Sequence, residues 1–190
     1  MSGNTTCISS FLEDMDHEFR EYNDIKLVKQ GYKVDGDGIK KHCELLNYKS
    51  VDYYNFDNKR GFMFVEFSDL LKQDAQIQQF IDRIGESNLE KSDKTTLRKQ
   101  YHKSMNKELV EKYKDSYLIK SILGSYLNNI PNFFNDKSFY CIVVAPMDKL
   151  ELIDKIERLR FLDILQAKVA GSLPSATFTD VKIITLDQFC

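Results

Sequence analysis

The sequence lacks tryptophan, holds only three prolines among its 190 residues, and contains no apolar run long enough to cross a membrane. A transmembrane helix needs about 20 consecutive apolar residues. The first residues show neither the basic start nor the apolar centre of a secretory signal. The formal net charge is −2, so no overall positive field favours nucleic acid. We therefore predict a soluble, cytoplasmic protein, not bound to a membrane, whose basic surface is local.

Several sequence signatures of well-known enzyme classes are also missing. Cys7, Cys43, Cys141 and Cys190 form no CxxC pair and have no zinc-site spacing to the histidines, which argues against a zinc site. Free thiols within apolar stretches indicate a reduced compartment. There is no P-loop, no dinucleotide fingerprint and no GxSxG motif. These absences argue against nucleotide-driven motors, Rossmann dehydrogenases and serine hydrolases of that type.

The composition, with 42% apolar and 29% charged residues, is typical of a folded globular protein. A length of 190 residues suits a single domain with a sizeable core. We predict that residues 1–24 are a lead-in with an amphipathic helix over Phe11–Tyr22, because apolar residues recur there at helical spacing. Residues 25–190 then form one core of strands and helices.

The order of predicted elements in this core defines a fold class. A β-hairpin followed by a strand–helix–strand crossover implies a mixed sheet. We therefore predict an α/β fold, with a mixed central sheet and helices on both faces. The predicted elements are a strand in Ile25–Val34, a helix at Ile39–Asn47, a hairpin of Ser50–Phe56 and Phe62–Phe67, a helix at Leu70–Ile84, a helical stretch at Thr95–Leu127, a strand at Ser138–Pro146, a helix at Leu150–Ala170 and a strand at Val181–Phe189.

The hairpin contains the residue that most needs an explanation, Glu66 in the apolar run FMFVEF. Strand alternation places Glu66 on the same face as Phe62 and Phe64, where an unpaired carboxylate is costly. An antiparallel turn brings Asp52, in the first strand, to a neighbouring position. Two carboxylates on rigid strands can hold Mg²⁺ or Mn²⁺ together with waters and a substrate phosphate. Alternatively, Asp52 and Glu66 are solvated acids without a shared role.

An Asp in one strand, a turn and an apolar strand ending in Glu-Phe-Ser resemble the PD-(D/E)xK superfamily of restriction-endonuclease-like nucleases. The order helix, three strands, helix, strand resembles its core as well. The resemblance implies that Asp52 and Glu66 bind a divalent metal, and that Glu44 is a further acid on the preceding helix. The superfamily's lysine, which polarises the attacking water, is replaced by Ser68. Lys72, in the following helix, is our candidate for that ammonium group.

The same residues also have simple structural explanations. Ser68 and Asp69 are good N-cap residues for the predicted helix. Lys72 and Glu44 also suit exposed positions of their helices. The segment DGDG at 35–38 lacks the further acidic ligands of a calcium loop and predicts a tight turn.

A basic segment lies just after the middle of the chain. On a helix its side chains form a positive stripe that suits contacts with nucleic-acid phosphates. Alternatively, this is a solvated helix whose charges are balanced by Glu108 and Glu111. The basic residues of the stripe are Arg98, Lys99, His102, Lys103 and Lys107.

Two functions are compatible with these patterns. The first is a metal-dependent nuclease, or the nuclease-like subunit of a nucleic-acid-processing assembly; the resemblance fits prokaryotic antiviral defence or mobile-element systems. The second is a catalytically inactive relative that binds a partner protein. Ser68 in place of lysine favours the second function, as do 10 tyrosines and 13 phenylalanines, which suit a protein-binding surface.

Overall fold

The computed structural model describes residues 6–85 and 90–190, with residues 81, 84, 85, 91 and 98 described by their backbone only. Within these residues, six strands form one mixed sheet in sequential order, β1 to β6. Strands β1 to β4 are antiparallel neighbours, whereas β4, β5 and β6 run parallel. The strands are β1 Leu12–Asp14, β2 Gln30–Lys33, β3 Tyr53–Asp57, β4 Gly61–Phe67, β5 Ser138–Val144 and β6 Phe178–Thr185. The predicted α/β class with a mixed sheet is confirmed.

The helices supply the long connections that parallel strands require. Helices α2 and α3 connect β4 to β5, and α4 connects β5 to β6. None of the helices in the described part of the chain has both the length and the hydropathy needed to span a bilayer. The helices are α1 Ile39–His42, α2 Leu70–Gly85, α3 Lys91–Ile122, α4 Leu152–Ser172 and α5 Leu186–Phe189.

The two faces of the sheet are covered differently. Side chains of α2, α3 and α4 pack on one face, in the larger apolar cluster. The other face carries a smaller cluster that contains Met15, Phe19 and Leu27 of the N-terminal segment, and Leu186 and Phe189 of α5. Every residue of β5 is buried, which explains its continuous apolar sequence. Helices on both faces were predicted, but the second face is covered mainly by an irregular segment and one short helix.

The predicted helix over Phe11–Tyr22 is wrong. The segment contains strand β1, an extended stretch and a short 3-10 helix at Arg20–Tyr22. In the stretch from Met15 to Phe19, burial alternates strictly, with every second residue buried against the sheet. A spacing of four residues fits one face of a helix and also one face of an extended chain. The alternation in Met-Asp-His-Glu-Phe was the signal that distinguished the two.

Other predicted elements change their bounds. Helix α1 ends at His42 rather than Asn47, because the chain turns at Glu44, whose φ of 57° lies in the left-handed region. At the C-terminus, strand β6 ends at Thr185, which forms a capping box with Gln188 and starts α5. Compared with the predicted strand at Val181–Phe189, the observed strand β6 both begins and ends earlier in the sequence.

Candidate functional site

The β3–β4 hairpin positions the two carboxylates. Tyr53 and Val65 form the last residue pair of the β3–β4 ladder at this end. The backbone N–H of Asp52 donates to the carbonyl of Val65 over 3.1 Å, one residue out of that register, so Asp52 follows the ladder as an irregular residue rather than as the paired neighbour of Glu66. The predicted hairpin is confirmed, and both acids lie at the end of the sheet where β4 ends.

Glu66 is 1% exposed, so it is not a solvated acid. Its Oε1 accepts a hydrogen bond from the Lys112 ammonium over 2.5 Å. Its Oε2 is buried and has no hydrogen-bond partner among the described residues. Asp52 is held in a different way, because its Oδ2 accepts a hydrogen bond from the Phe67 N–H over 2.7 Å. One carboxylate is thus oriented by a lysine and the other by the backbone of β4.

Lys112 is the residue of this site that the sequence analysis missed. It lies on α3, next to Tyr113 and three residues after Leu109, both of which are buried against the sheet. This position brings its ammonium group to the edge of the buried face, with the side chain 22% exposed. Lys112 lies in a stretch with several other lysines, so the local sequence gives no reason to single it out as a site residue. A sequence signal for Lys112 was its position beside the apolar stripe of α3.

The three charged groups shift one another's protonation. Burial raises the pKa of Asp52 to about 6, although the Phe67 N–H and Lys112 both oppose the shift. Burial also raises the pKa of Glu66 well above its usual value, Asp52 raises it further, and Lys112 opposes both. For Lys112, burial lowers the pKa, but Glu66 and Asp52 outweigh it and the pKa lies above its usual value. One ammonium group therefore faces two carboxyl groups that retain protons unusually well.

This arrangement predicts that Asp52→Asn stabilises the protein at neutral pH. The pKa of Asp52 rises from 3.8 to about 6 on folding, so the folded state binds the proton more tightly and stability is lost as the pH rises from about 4 to 6. Over the whole pH range of this titration, ionisation of Asp52 therefore lowers the free energy of unfolding at pH 7 by at most about 3 kcal/mol. Asparagine removes this charge and can still accept the Phe67 N–H.

We expect Asp52→Asn to raise the free energy of unfolding at pH 7 by about 1–3 kcal/mol, and to have little effect at pH 4. Urea denaturation at the two pH values measures the difference. Asp163→Asn, at an exposed position of α4, is the matched control. A variant less stable than the unaltered protein at pH 7 would contradict the prediction.

Asp52 is reached from solvent through a cleft of about 250 Å³. The walls are formed by residues 16–18, residues 33–36 and the hairpin residues 52, 53 and 67. Asp35 is the acid of this wall that raises the pKa of both Asp52 and Glu66. Burial raises the pKa of Asp35 itself, but the Lys40 ammonium and the Gly36 N–H lower it more, to below its usual value. The DGDG turn therefore places a charged acid at the cleft, which Asp16 and Glu18 also line.

His17 also lines this cleft, but its ring is used for structure. Its Nδ1 accepts a hydrogen bond from the Phe19 N–H over 3.3 Å, so Nδ1 carries no proton. Its Nε2 then donates to the carbonyl of Ile25 over 2.9 Å. With both nitrogens engaged and the ring stacked on Phe19, His17 orders the N-terminal segment.

Two other predicted site residues lie elsewhere. Glu44 is exposed after the end of α1, and Lys72 is exposed in the first turn of α2, where it lines a separate cleft. The backbone N–H of Ser68 donates to the carbonyl of Val143 over 2.9 Å, which ties the end of β4 to β5. The lysine that contacts Glu66 is Lys112, and the acid that influences the pair is Asp35.

The predicted basic stripe is divided among different contacts. His102 binds the buried Asp74 over 3.2 Å, and Lys107 pairs with Glu111 over 3.5 Å. Lys99 and Lys103 are exposed. The side chain of Arg98 lies outside the described part of the structure. Only part of the stripe is therefore available as a free positive surface.

Comparison with protein-family models, with curated proteins and with solved structures finds no match to this chain. What defines the site is its own geometry. A buried Glu, a partly buried Asp and a Lys from a packed helix converge at one end of a mixed sheet, beneath a cleft with a further acid.

Proposed function

We propose that this protein is a metal-dependent nuclease, in which Asp52 and Glu66 bind the metal and Lys112 supplies the ammonium group of the site. The observation that carries the proposal is the buried, unpartnered Oε2 of Glu66 beside Asp52. A buried acceptor without a partner costs about 1–3 kcal/mol. Such a cost is understandable where the oxygen serves a ligand.

The donor set fits a small, hard cation. Mg²⁺ is typically bound by one or two carboxylates and keeps several waters, with substrate phosphate completing the shell. In the described residues, no group of three or more His, Cys, Asp or Glu side chains is arranged to hold a metal. We infer a two-carboxylate site, with Asp52 and Glu66 as its protein ligands, that takes Mg²⁺ or Mn²⁺ in the presence of nucleic acid. When bound, the metal lowers the pKa of water and neutralises charge on the phosphodiester.

The chain's own groups then have separate roles. Lys112 orients Glu66 through Oε1, which leaves Oε2 for the metal. Its ammonium group, on the partly exposed side of the pair, is the counterpart of the lysine that Ser68 replaces. Asp52, with a pKa of about 6, is ionised at neutral pH. Asp35 adds negative charge that favours a cation at this end of the sheet.

The strand order supports the same proposal. Strands β2, β3 and β4 form an antiparallel meander, and β5 joins β4 in parallel after a helical crossover. This strand pairing supports the proposal in part, since α1 lies between β2 and β3 rather than before the three strands that the PD-(D/E)xK resemblance implies. A role in prokaryotic defence stays a prediction of the resemblance, and a cytoplasmic location stays a prediction of the sequence composition.

The direct test is cleavage by the purified full chain. We expect Mg²⁺ or Mn²⁺ to support cleavage of DNA or RNA, EDTA to stop it, and Asp52→Asn to remove it. Because the same substitution is expected to stabilise the fold, loss of activity cannot be ascribed to unfolding. Asp163→Asn should cleave normally. Absence of cleavage under all of these conditions, or cleavage that persists in Asp52→Asn, would reject the proposal.

A second candidate function is binding of a partner protein by a domain without activity. The observation that favours it is the outer side of α4, where three aliphatic residues are well exposed: Leu152 at 71%, Ile153 at 74% and Ile164 at 57%. Exposed apolar surface of this kind often marks a protein contact. This function predicts that Mn²⁺ does not bind at Asp52 and Glu66, and that partner binding survives their substitution.

A further inference from the structure

A second cleft, separate from the carboxylate site, lies between α3 and α4 and has a volume of about 370 Å³. Its lining residues are Lys99, His102, Lys103, Asn106 and Lys168. Lysines of two different helices therefore converge on one concavity. Lys168 was not part of the predicted stripe, since it lies 65 residues after Lys103 in the sequence.

The charge of this cleft is of one sign. Within the described residues, none of its three lysines forms an ion pair, whereas other lysines of α3, such as Lys107 and Lys112, do. His102 contributes its ring but is tied to Asp74. Among the side chains that the structure describes, no carboxylate lines the cleft. Three ammonium groups near one another repel, and an anion between them relieves that repulsion.

Asn106 gives this cleft a polar wall. Its Nδ2 donates to the Ser172 hydroxyl over 3.5 Å, which links α3 to the end of α4. Its Oδ1 is buried and accepts no hydrogen bond among the described residues. The cleft is thus polar and cationic, unlike the apolar pockets that bind most small hydrophobic ligands.

We propose that this lysine cleft, defined by Lys99, Lys103 and Lys168, binds the phosphate backbone of nucleic acid away from the cleavage site. The identity of the ligand rests on the proposed nuclease function. From Lys112, Lys103 is about 14 Å and Lys99 about 20 Å distant along α3 at 1.5 Å per residue. This distance equals roughly four to six base pairs at 3.4 Å each. A short duplex is long enough to reach both places.

The test is binding of a labelled duplex of about 20 base pairs, in DNA and in RNA form, measured by fluorescence anisotropy in EDTA at several salt concentrations. For each phosphate contact, the slope of log K against log salt changes by about 0.9. We expect the triple substitution Lys99→Gln, Lys103→Gln, Lys168→Gln to reduce the slope by about 2–3 and to weaken binding at least about 50-fold near 0.1 M salt. A matched triple at exposed lysines outside the predicted stripe, Lys26→Gln, Lys59→Gln, Lys155→Gln, has the same net charge and should bind nearly as the unaltered chain does.

The outcomes separate this inference from the proposed function. Selective loss of binding in the cleft triple supports the lysine cleft, even if the chain proves unable to cleave. Equal binding by the two triples overturns it, whatever the cleavage assay shows. If inorganic phosphate binds the unaltered chain but neither the DNA nor the RNA duplex does, the inference is also overturned, in favour of a small phosphate ligand. Circular dichroism of both triples verifies that they fold.

Discussion

Replacing Glu66 by glutamine is expected to lower the cleavage rate by about a thousandfold or more, comparable to the largest effects of removing one preorganised polar group. Glutamine keeps the shape of the side chain and an oxygen that can accept the Lys112 ammonium. It removes the negative charge through which, in the proposed mechanism, Oε2 would bind the cation. The measurement is the initial rate of cleavage at saturating Mg²⁺, with binding of Mn²⁺ to the same variant as a second readout.

The fold of this variant should survive, which makes the result interpretable. Burial raises the pKa of Glu66 well above its usual value, so the ionised form is disfavoured by the folded state. A neutral amide avoids that penalty, and Asp52 remains as a counter-ion for Lys112. Because the Lys112 side chain is 22% exposed, whereas that of Glu66 is 1% exposed, we expect this variant to lose less free energy of unfolding at pH 7 than the cost of about 3–5 kcal/mol that is typical of removing one partner of a buried ion pair. Glu108→Gln, at an exposed position one turn before Lys112, is the control, and undiminished cleavage in Glu66→Gln would contradict the role of Oε2.

The hairpin that carries Asp52 and Glu66 could be predicted because it depends on local rules. The runs on either side of Asp57–Gly61 are rich in β-forming residues, and a tight turn fixes which positions face each other. The counting that sets Tyr53 against Val65 brings both acids to the same end of the hairpin, but it did not predict that Asp52 leaves the paired register there. The face of Glu66 followed from strand alternation as well. Nothing beyond the hairpin was needed.

Lys112 and Asp35 could not be predicted by such rules. Their positions depend on how α3 packs across the sheet and how the DGDG turn folds back beside β3, and these contacts join residues far apart in the sequence. Lys72 was the nearer candidate along the chain, but α2 leaves it exposed in a different cleft. Sequence spacing identifies which residues share an element. It does not identify which side chain of a distant helix reaches a given strand.

Replacing Lys112 by methionine is expected to destabilise the protein by about 3–5 kcal/mol at pH 8, the usual cost of removing one partner of a buried ion pair. The loss should be smaller at pH 5. Lys112 lowers the pKa of Glu66, so in its absence the pKa rises further above the value in the unfolded chain. An acid with a raised pKa in the folded state binds more protons there, and stability therefore falls as the pH rises. Urea denaturation at both pH values measures this, with Lys114→Met, at an exposed position of the same helix, as the control.

The double substitution Glu66→Gln with Lys112→Met separates the two contributions of this lysine. With both charges removed, we expect stability at pH 8 to return to within about 1 kcal/mol of the unaltered protein, since a neutral pair of similar volume is often tolerated in place of a buried ion pair. Cleavage should remain absent, because neither the carboxylate nor the ammonium is restored. Equal destabilisation of Lys112→Met at pH 5 and pH 8, with no recovery in the double variant, would show that Lys112 contributes by packing alone. Its contact with Glu66 would then have no electrostatic role, and the proposal that Lys112 supplies the ammonium group of the site would lose its support.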